Sequence, residues 1–302
     1  MNSFWSAWVI VLTTVSVIGV LWILLANRKT TKRGEDQKTG HEYDGIEEYD
    51  NPLPGWWMYM FLASIVFAIA YLVAYPGMGN FSGMLGWTQQ AQYEKEMNQA
   101  EDEFLAGYNA FEDKTIEGLA ANPKAVKMGQ RLFSNNCSVC HGADARGTTG
   151  YPNLADHDWL WGGASETIKQ TIVGGRVGAM PAWEGALGQQ RVQAVAQYAK
   201  ALSEGRGAEA GVSDGKVVFD TFCSACHGAN GEGNVAIGAP NLTDNVWLYG
   251  GSLPTITESI SKGRNGRMPA HGELLSEERI QLISAYVYSL SQGIENKSSE
   301  GK

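Results

Sequence analysis

The chain has 302 residues, of which 44% are hydrophobic and 18% charged, with a formal net charge of −9 and only 4 cysteines. This length accommodates two or three domains, and the hydrophobic content is too high for a disordered chain. The acidic balance argues against a nucleic-acid binder, which needs a basic face, and four cysteines are too few for a disulfide-rich secreted scaffold.

Two uncharged apolar stretches lie within residues 1–80, at about 4–26 and 56–75. The first is long enough, at about 1.5 Å per residue, to cross a hydrocarbon core of about 30 Å. Tryptophan and tyrosine flank the second, as is typical of a membrane interface. A cleaved signal peptide is the alternative for the first stretch, but its basic residues would precede the apolar core rather than follow it. Residues 1–80 are therefore predicted to be a membrane anchor with two transmembrane helices.

The loop 27–54 between these stretches carries five basic residues, whereas none precedes the first stretch. Since lysine and arginine favour the cytoplasmic side, the loop is predicted to be cytoplasmic. The N-terminus and everything after residue 80 then lie outside, which in the inner membrane of a bacterium means the periplasm. The five basic residues are Arg28, Lys29, Lys32, Arg33 and Lys38.

After a charged helical connector at 81–122, the sequence repeats itself. A series of anchors recurs 86 residues later up to the second cysteine motif, and 88 residues later beyond it, which indicates an internal duplication with a two-residue insertion. The copies occupy 123–206 and 207–293, followed by a polar tail at 294–302. Helices are predicted at 124–136, 165–174 and 188–203, and at 214–222, 253–262 and 276–291. Each copy is small for an independent core, so a bound group is expected to stabilise it.

All four cysteines lie in two Cys-x-x-Cys-His motifs, which is the attachment signature of c-type haem. The thiols of Cys137 and Cys140, and those of Cys223 and Cys226, are predicted to bind two haem c groups covalently. A redox dithiol, a zinc site and a local disulfide are the alternatives. The duplication of the complete motif in separate copies argues against all three.

The histidine of each motif, His141 or His227, is the predicted proximal ligand of the haem iron, and the distal ligands are predicted to be Met180 and Met268. Each methionine occupies a Gly-x-Met-Pro segment at the matched position of its copy, and the proline stiffens the loop. The rival ligands His157 and His271 have no counterpart in the other copy and are predicted to be exposed polar residues. His41 falls in the cytoplasmic loop. Whether each methionine serves the haem of its own copy or of the other copy stays open.

Histidine and methionine together fill both axial positions of the iron, which suits electron transfer rather than substrate binding. Arg176 and Arg264 each lie four residues before a methionine and are candidates for contact with haem propionates. Solvated loop arginines are the equally open alternative.

The repeat resembles class I cytochrome c domains in its Gly-x-x-x-Phe segment, haem motif, Pro-Asn-Leu, Met-Pro and aromatic residue in the last helix. The resemblance implies an all-α fold around each haem, in which the carbonyl groups of Pro152 and Pro240 orient the ligating histidines. The predicted architecture is thus two N-terminal transmembrane helices followed by two tandem class I cytochrome c domains.

Residues 4–291 as a whole resemble the FixP-type family of membrane-anchored dihaem subunits of cbb3-type cytochrome c oxidases. The segments DGIEEYDNPLPGWW at 44–57 and YPGMGN at 75–80, with Gly86 and Trp87, carry this resemblance. It implies electron transfer from a soluble or membrane-bound periplasmic cytochrome c to a mono-haem cytochrome c subunit, and then to the oxygen-reducing catalytic subunit of a respiratory oxidase.

Two other functions are alternatives to this one. A free-standing membrane-anchored dihaem carrier fits the haem motifs equally well, although a single span would suffice as a tether. A dihaem peroxidase needs an open distal position, which a Met-Pro in both copies disfavours. The two apolar stretches contain no His, Cys, Asp or Glu, so the chain is expected to have no catalytic site of its own.

Overall fold

The computed structural model describes residues 2–27, 38–49, 54–209 and 213–299. Four of the basic residues used for the orientation prediction, Arg28, Lys29, Lys32 and Arg33, lie outside these ranges. The chain divides into two compact units, Met1–Leu105 and Ala106–Lys302.

The first unit contains the two apolar helices, α1 at Ser3–Ala26 and α2 at Gly55–Ala74, in the places where the sequence predicts them. Both are long and apolar enough to cross a membrane, and almost none of their residues are buried. The two helices contact each other, and the backbone N–H of Asn80, just beyond α2, donates a hydrogen bond to Ser6 Oγ of α1 (2.9 Å).

The loop between these helices contains a β-hairpin that the sequence analysis did not predict. Strand β1 at Lys38–Tyr43 pairs antiparallel with β2 at Ile46–Tyr49. Asp44 and Gly45 form its turn with φ of 51° and 83°, the left-handed conformation that a two-residue Asp-Gly turn favours.

The connector and the two repeats are mostly helical, as predicted. Asn122 accepts the N–H of Lys124 at the start of α5, and Ser252 accepts that of Thr255 at the start of α11. The connector contains α3 (Gln89–Asn109) and α4 (Ile116–Ala120). The first repeat contains α5 (Pro123–Asn136), α6 (Ser138–His141), α7 (Ser165–Gly174), β3 (Arg176–Met180) and α8 (Glu184–Ser203). The second contains α9 (Ser213–Phe222), α10 (Ser224–His227), α11 (Leu253–Lys262), β4 (Arg264–Met268) and α12 (Glu277–Ser299).

The last helix of each repeat packs against the first helix of the other repeat. Helix α12 packs on α5 and α7, whereas α8 packs on α9 and α11. A side chain at Gly129 of α5 would overlap the carbonyl oxygen of Leu282 in α12, and one at Gly215 of α9 would overlap that of Ala194 in α8. Glycine at these two positions therefore lets the backbones of helices from different repeats approach closely.

Two hydrophobic cores result, each assembled from both repeats. The Cys137 core is centred on Phe133 and Tyr286, whose rings lie 5.3 Å apart. The Cys223 core is centred on Phe219 and Tyr198, also 5.3 Å apart. The sequence intervals of the two predicted domains thus do not coincide with two self-contained cores.

Strands β3 and β4 pair antiparallel and form a short ribbon that joins the two repeats. Gly175 and Gly263, with φ of 68° and 72°, end helices α7 and α11 and turn the chain into these strands. In the register of the ribbon, Arg176 lies opposite Met268 and Met180 lies opposite Arg264. The ribbon was not predicted, because the strand sequences RVGAM and RNGRM show no clear apolar alternation.

Candidate haem sites

Each Cys-x-x-Cys-His motif forms a single tight turn at the end of the first helix of its repeat. The backbone N–H groups of Cys137 and Cys223 donate to the carbonyls of Phe133 and Phe219, both at 2.8 Å. None of the four cysteines forms a disulfide in the structure. Burial raises the pKa of Cys137 to about 11, and the neighbouring Cys140 adds to the shift. The same two causes raise the pKa of Cys223 to about 11.

The two histidines of the motifs are buried and face the proline carbonyls that the resemblance implies. His141 Nδ1 lies 3.2 Å from the carbonyl oxygen of Pro152, and His227 Nδ1 lies 3.0 Å from that of Pro240. Because a carbonyl oxygen only accepts, Nδ1 carries the proton and Nε2 keeps the lone pair that a metal ligand needs. Burial also lowers the pKa of both histidines, which favours the neutral imidazole.

The two methionines lie in the cores of the opposite haem motifs. Met268, from the second repeat, packs against the core that contains Cys137, whereas Met180, from the first repeat, packs against the core that contains Cys223. The exchange of the last helices carries each Met-Pro segment across with it. Each methionine therefore packs against the core that contains the haem motif of the other copy.

Each arginine lies near the haem motif of its own repeat, whereas the methionine opposite it in the ribbon comes from the other repeat. Arg176 and Met268 face each other across the strands and share one face of the ribbon, as do Arg264 and Met180. Each site therefore combines a Cys-x-x-Cys-His motif and an arginine from one repeat with a methionine from the other.

Both arginines are held in the same way. Arg176 Nε donates to Thr171 Oγ1 (2.9 Å), and its guanidinium lies 5.0 Å from the centre of the Trp161 ring. Arg264 Nε donates to Ser259 Oγ (2.9 Å) and lies 4.5 Å above the Tyr249 ring. These contacts hold both guanidinium groups in defined positions rather than leaving them as solvated loop side chains.

The prediction that His271 is an exposed polar residue is wrong. Its Nδ1 atom is buried without a hydrogen-bond partner, and its ring lies close enough to His141 to lower the pKa of that histidine. His271 occupies the position of Trp183 in the other copy, and both donate their backbone N–H to the carbonyl at the end of a neighbouring helix. The position of His271, three residues after Met268, was the sequence feature that could have indicated its burial near the site. His157 is exposed, as predicted, and His41 lies in β1.

A cavity of about 440 Å³ lies between the loops that follow the two haem motifs, and both repeats line it. Asp156 and Asp244, at matched positions of the two copies, face this cavity. Burial raises the pKa of both carboxyl groups, and contact with Asp158 raises that of Asp244 further.

The donor set at each site fits a c-type haem. Two thiols lie three positions apart on one turn, an imidazole Nε2 adjoins them, and a half-buried thioether comes from the facing ribbon. Imidazole and thioether are the axial ligands typical of cytochromes c. Among the described residues, no group of three or more His, Cys, Asp or Glu could hold a metal ion directly.

Two family models match the chain. One, described as the N-terminal domain of cytochrome oxidase-cbb3, FixP, matches residues 35–82. The other, described as cytochrome C oxidase, cbb3-type, subunit III, matches residues 124–198 and 210–287, one segment in each repeat.

Several curated proteins are similar over most of their length. The chain is 44% identical to the Cbb3-type cytochrome c oxidase subunit CcoP of Rubrivivax gelatinosus, over 96% of each chain. It is 38% identical to the subunit FixP of Azorhizobium caulinodans, over 86% of this chain and 94% of the relative. It is 37% identical to the subunit CcoP of Cereibacter sphaeroides, over 87% of this chain and 97% of the relative.

Proposed function

The chain belongs to the CcoP/FixP family of cbb3-type cytochrome c oxidase subunits, with a cytochrome c electron-transfer role, and from this premise we propose that it is a dihaem relay. It passes electrons from a cytochrome c donor towards the oxygen-reducing subunit of the oxidase. The observation that carries the proposal is the pair of complete, crossed donor sets within one compact unit.

In the proposed assignment, Cys137 and Cys140 hold the first haem through thioether bonds, and Cys223 and Cys226 hold the second. A haem c supplies reversible one-electron transfer at its iron when bound. His141 and Met268 would bind the iron of the first haem, and His227 and Met180 would bind that of the second. The packing of each methionine in the opposite core supports this crossed assignment.

The remaining site residues orient the histidine rings and balance the charge of the haem propionates. The carbonyls of Pro152 and Pro240 hold the histidine rings and keep Nε2 unprotonated. Arg176 and Arg264 compensate the haem propionates, and their hydrogen bonds and ring contacts fix them beside the methionines. Six-coordinate sites of this kind have no open position, so they exchange electrons rather than bind substrate.

Helices α1 and α2 anchor the chain in the bacterial inner membrane, with the loop 27–54 in the cytoplasm and the N-terminus and both haem sites in the periplasm. The lengths and uncharged sequences of the helices support the anchor, and the lysine and arginine content of the loop supports the orientation. The repeats 123–206 and 207–293 then form one periplasmic body joined to the anchor by the connector 81–122.

The partners in this proposal are the catalytic subunit, a mono-haem cytochrome c subunit and a soluble or membrane-bound cytochrome c donor. Neither α1 nor α2 contains a His, Cys, Asp or Glu. A haem–copper centre or a proton pathway within the membrane needs such side chains, so oxygen reduction is assigned to a partner and not to this chain.

Purification from native membranes in mild detergent tests the proposal. We expect two haem c per chain to copurify with b-type haem, copper and cyanide-sensitive oxygen uptake. A preparation with two haem c but without oxygen uptake would make the chain a free-standing carrier. A ferrous form that binds carbon monoxide at one of its c haems, together with peroxide reduction, would indicate a peroxidase.

A further inference from the structure

The two haem sites are built alike, but the charges around their arginines differ. Arg264 Nη2 lies 3.9 Å from Glu258 Oε2, one residue before the serine that holds this arginine. The matched residue in the first repeat is Gln170, and Arg176 makes no ion pair with any carboxylate in the part of the chain that the structure describes. Among protein side chains, a carboxylate therefore partly compensates the charge of Arg264, whereas none does so for Arg176 in the described part of the chain.

The loop that follows His227 is also more negatively charged than the loop that follows His141. In the first, Asp144 accepts the backbone N–H of Arg146, whose side chain pairs with the same carboxylate at 3.8 Å. In the second, Glu232 replaces the arginine, accepts the N–H of Asn230 (2.9 Å) and folds back against Gly228, which directly follows His227. Each loop thus has one carboxylate at its turn, but only the first also has a cation.

Lys262 and Asp158 are two of the other charge differences between the copies, and neither reverses this balance. Lys262 is absent from the first repeat and pairs with Glu258 at 3.1 Å, so it offsets part of the charge of that carboxylate at the Cys223 site. Asp158 has no acidic counterpart in the second repeat, but it contacts Asp244 and lies in the cavity lined by both loops, so it belongs to both sites.

Oxidation of a haem adds one positive charge, and a nearby carboxylate stabilises that charge while a nearby cation destabilises it. We infer that the haem held at Cys223 and Cys226 has the lower midpoint potential of the two, that Glu258 and Glu232 set this order, and that electrons pass from that haem to the one held at Cys137 and Cys140. The inference rests on the proposed dihaem function. The step moves one electron: the haem at the Cys223 site is oxidised while the haem at the Cys137 site is reduced, and no bond or proton changes.

A potentiometric titration of the haem-loaded full chain in detergent tests this order without a prior assignment of the two haems. Glu258→Gln is expected to raise the lower midpoint potential and leave the upper one unchanged. The matched Gln170→Glu is expected to lower the upper potential only, and the two changes together should narrow or invert the gap. Glu232→Gln serves as a second variant and should also raise the lower potential.

The controls separate this inference from the proposed function. Glu209→Gln removes an exposed carboxylate between the repeats and should move neither potential. Lys262→Gln exposes the charge of Glu258 and should lower the lower potential further. If the chain bound no haem c, the proposed function itself would fail. If two haems titrated but Glu258→Gln moved the upper potential, or neither, the inferred order would be wrong.

Discussion

The Cys137 core and the Cys223 core share one architecture, but among the described residues only the Cys137 core is covered by a segment from outside the repeats. Helix α4 lies on α12 and α7, with Ile116 and Leu119 fully buried there. The hydroxyl of Tyr108, at the end of α3, hydrogen-bonds to Gln281 of α12, and Ser165 of α7 hydrogen-bonds to Glu117 of α4.

The matched face of the Cys223 core is an open groove of about 620 Å³ between α8 and α11. Gln193, the counterpart of Gln281, lines it, and Gln197 is exposed where its counterpart Ala285 is fully buried. The copies therefore differ where the connector covers one of them: alanine is buried at position 285 on the covered face, whereas the matched Gln197 is solvated on the open face.

Replacement of one of the two methionines is expected to have the largest effect, because it should change carbon monoxide binding at one core and not at the other. In a chain whose second attachment motif is removed by Cys223→Ala and Cys226→Ala, Met268→Ala should convert nearly all of the remaining haem to a form that binds carbon monoxide. Met180→Ala should leave it unchanged, because this methionine serves the other core. Carbon monoxide difference spectra measure both, and the opposite pattern would refute the crossed assignment.

Removal of the connector's main buried side chain should weaken the Cys137 core alone. Leu119 is 0% exposed, so Leu119→Ala is expected to lower the free energy of unfolding by about 2–4 kcal/mol. Leu274→Ala, at a side chain that is 76% exposed, is the matched control and should change it by less than about 0.5 kcal/mol. Denaturant titrations of the haem-loaded chain give both values. An equal loss in the two variants would contradict the covering role of α4.

Replacement of the glycine at the helix crossing should destabilise the two cores equally. Gly129→Ala and Gly215→Ala each place a methyl group against the carbonyl of a helix from the other repeat, which should cost about 1–3 kcal/mol of stability. Gly185→Ala, in the first turn of α8 with open space around it, should be neutral or slightly stabilising. Thermal unfolding followed by haem absorbance compares the three, and a marked difference between the two crossing variants would show that the cores are not equivalent.

The carboxylates in the cavity between the repeats should have the smallest effect. Burial raises the pKa of Asp244 in the folded chain above its value in the unfolded chain, so ionisation destabilises the fold as the pH rises through this interval. Asp244→Asn should therefore raise the Tm at pH 7 by about 1–3 °C. Below the unfolded pKa both states are protonated, so the advantage should disappear there. A gain that persisted in acid would show that its cause is not electrostatic.

Local sequence determined the chemistry and the helices of this protein. The predicted helices at 165–174 and 253–262 coincide with α7 and α11, and the helix predicted at 188–203 is the part of α8 that follows its kink at Gly188. These features depend on residues close together in the chain: caps, prolines, glycines, apolar periodicity and the five-residue haem motifs.

The exchange between repeats was decided only by the tertiary structure. Each copy contains the same glycine, phenylalanine and tyrosine at its helix crossing, so its first helix can pack equally well against either last helix. Helix α9 begins at Ser213, only ten residues after α8 ends at Ser203, and such a short connection favours packing of these two neighbours. Helix α12 is then left to cover α5, and it carries Met268 into the Cys137 core. Because duplication gives both copies the same signals at the helix crossings, only the long-range packing could determine which methionine packs against which core.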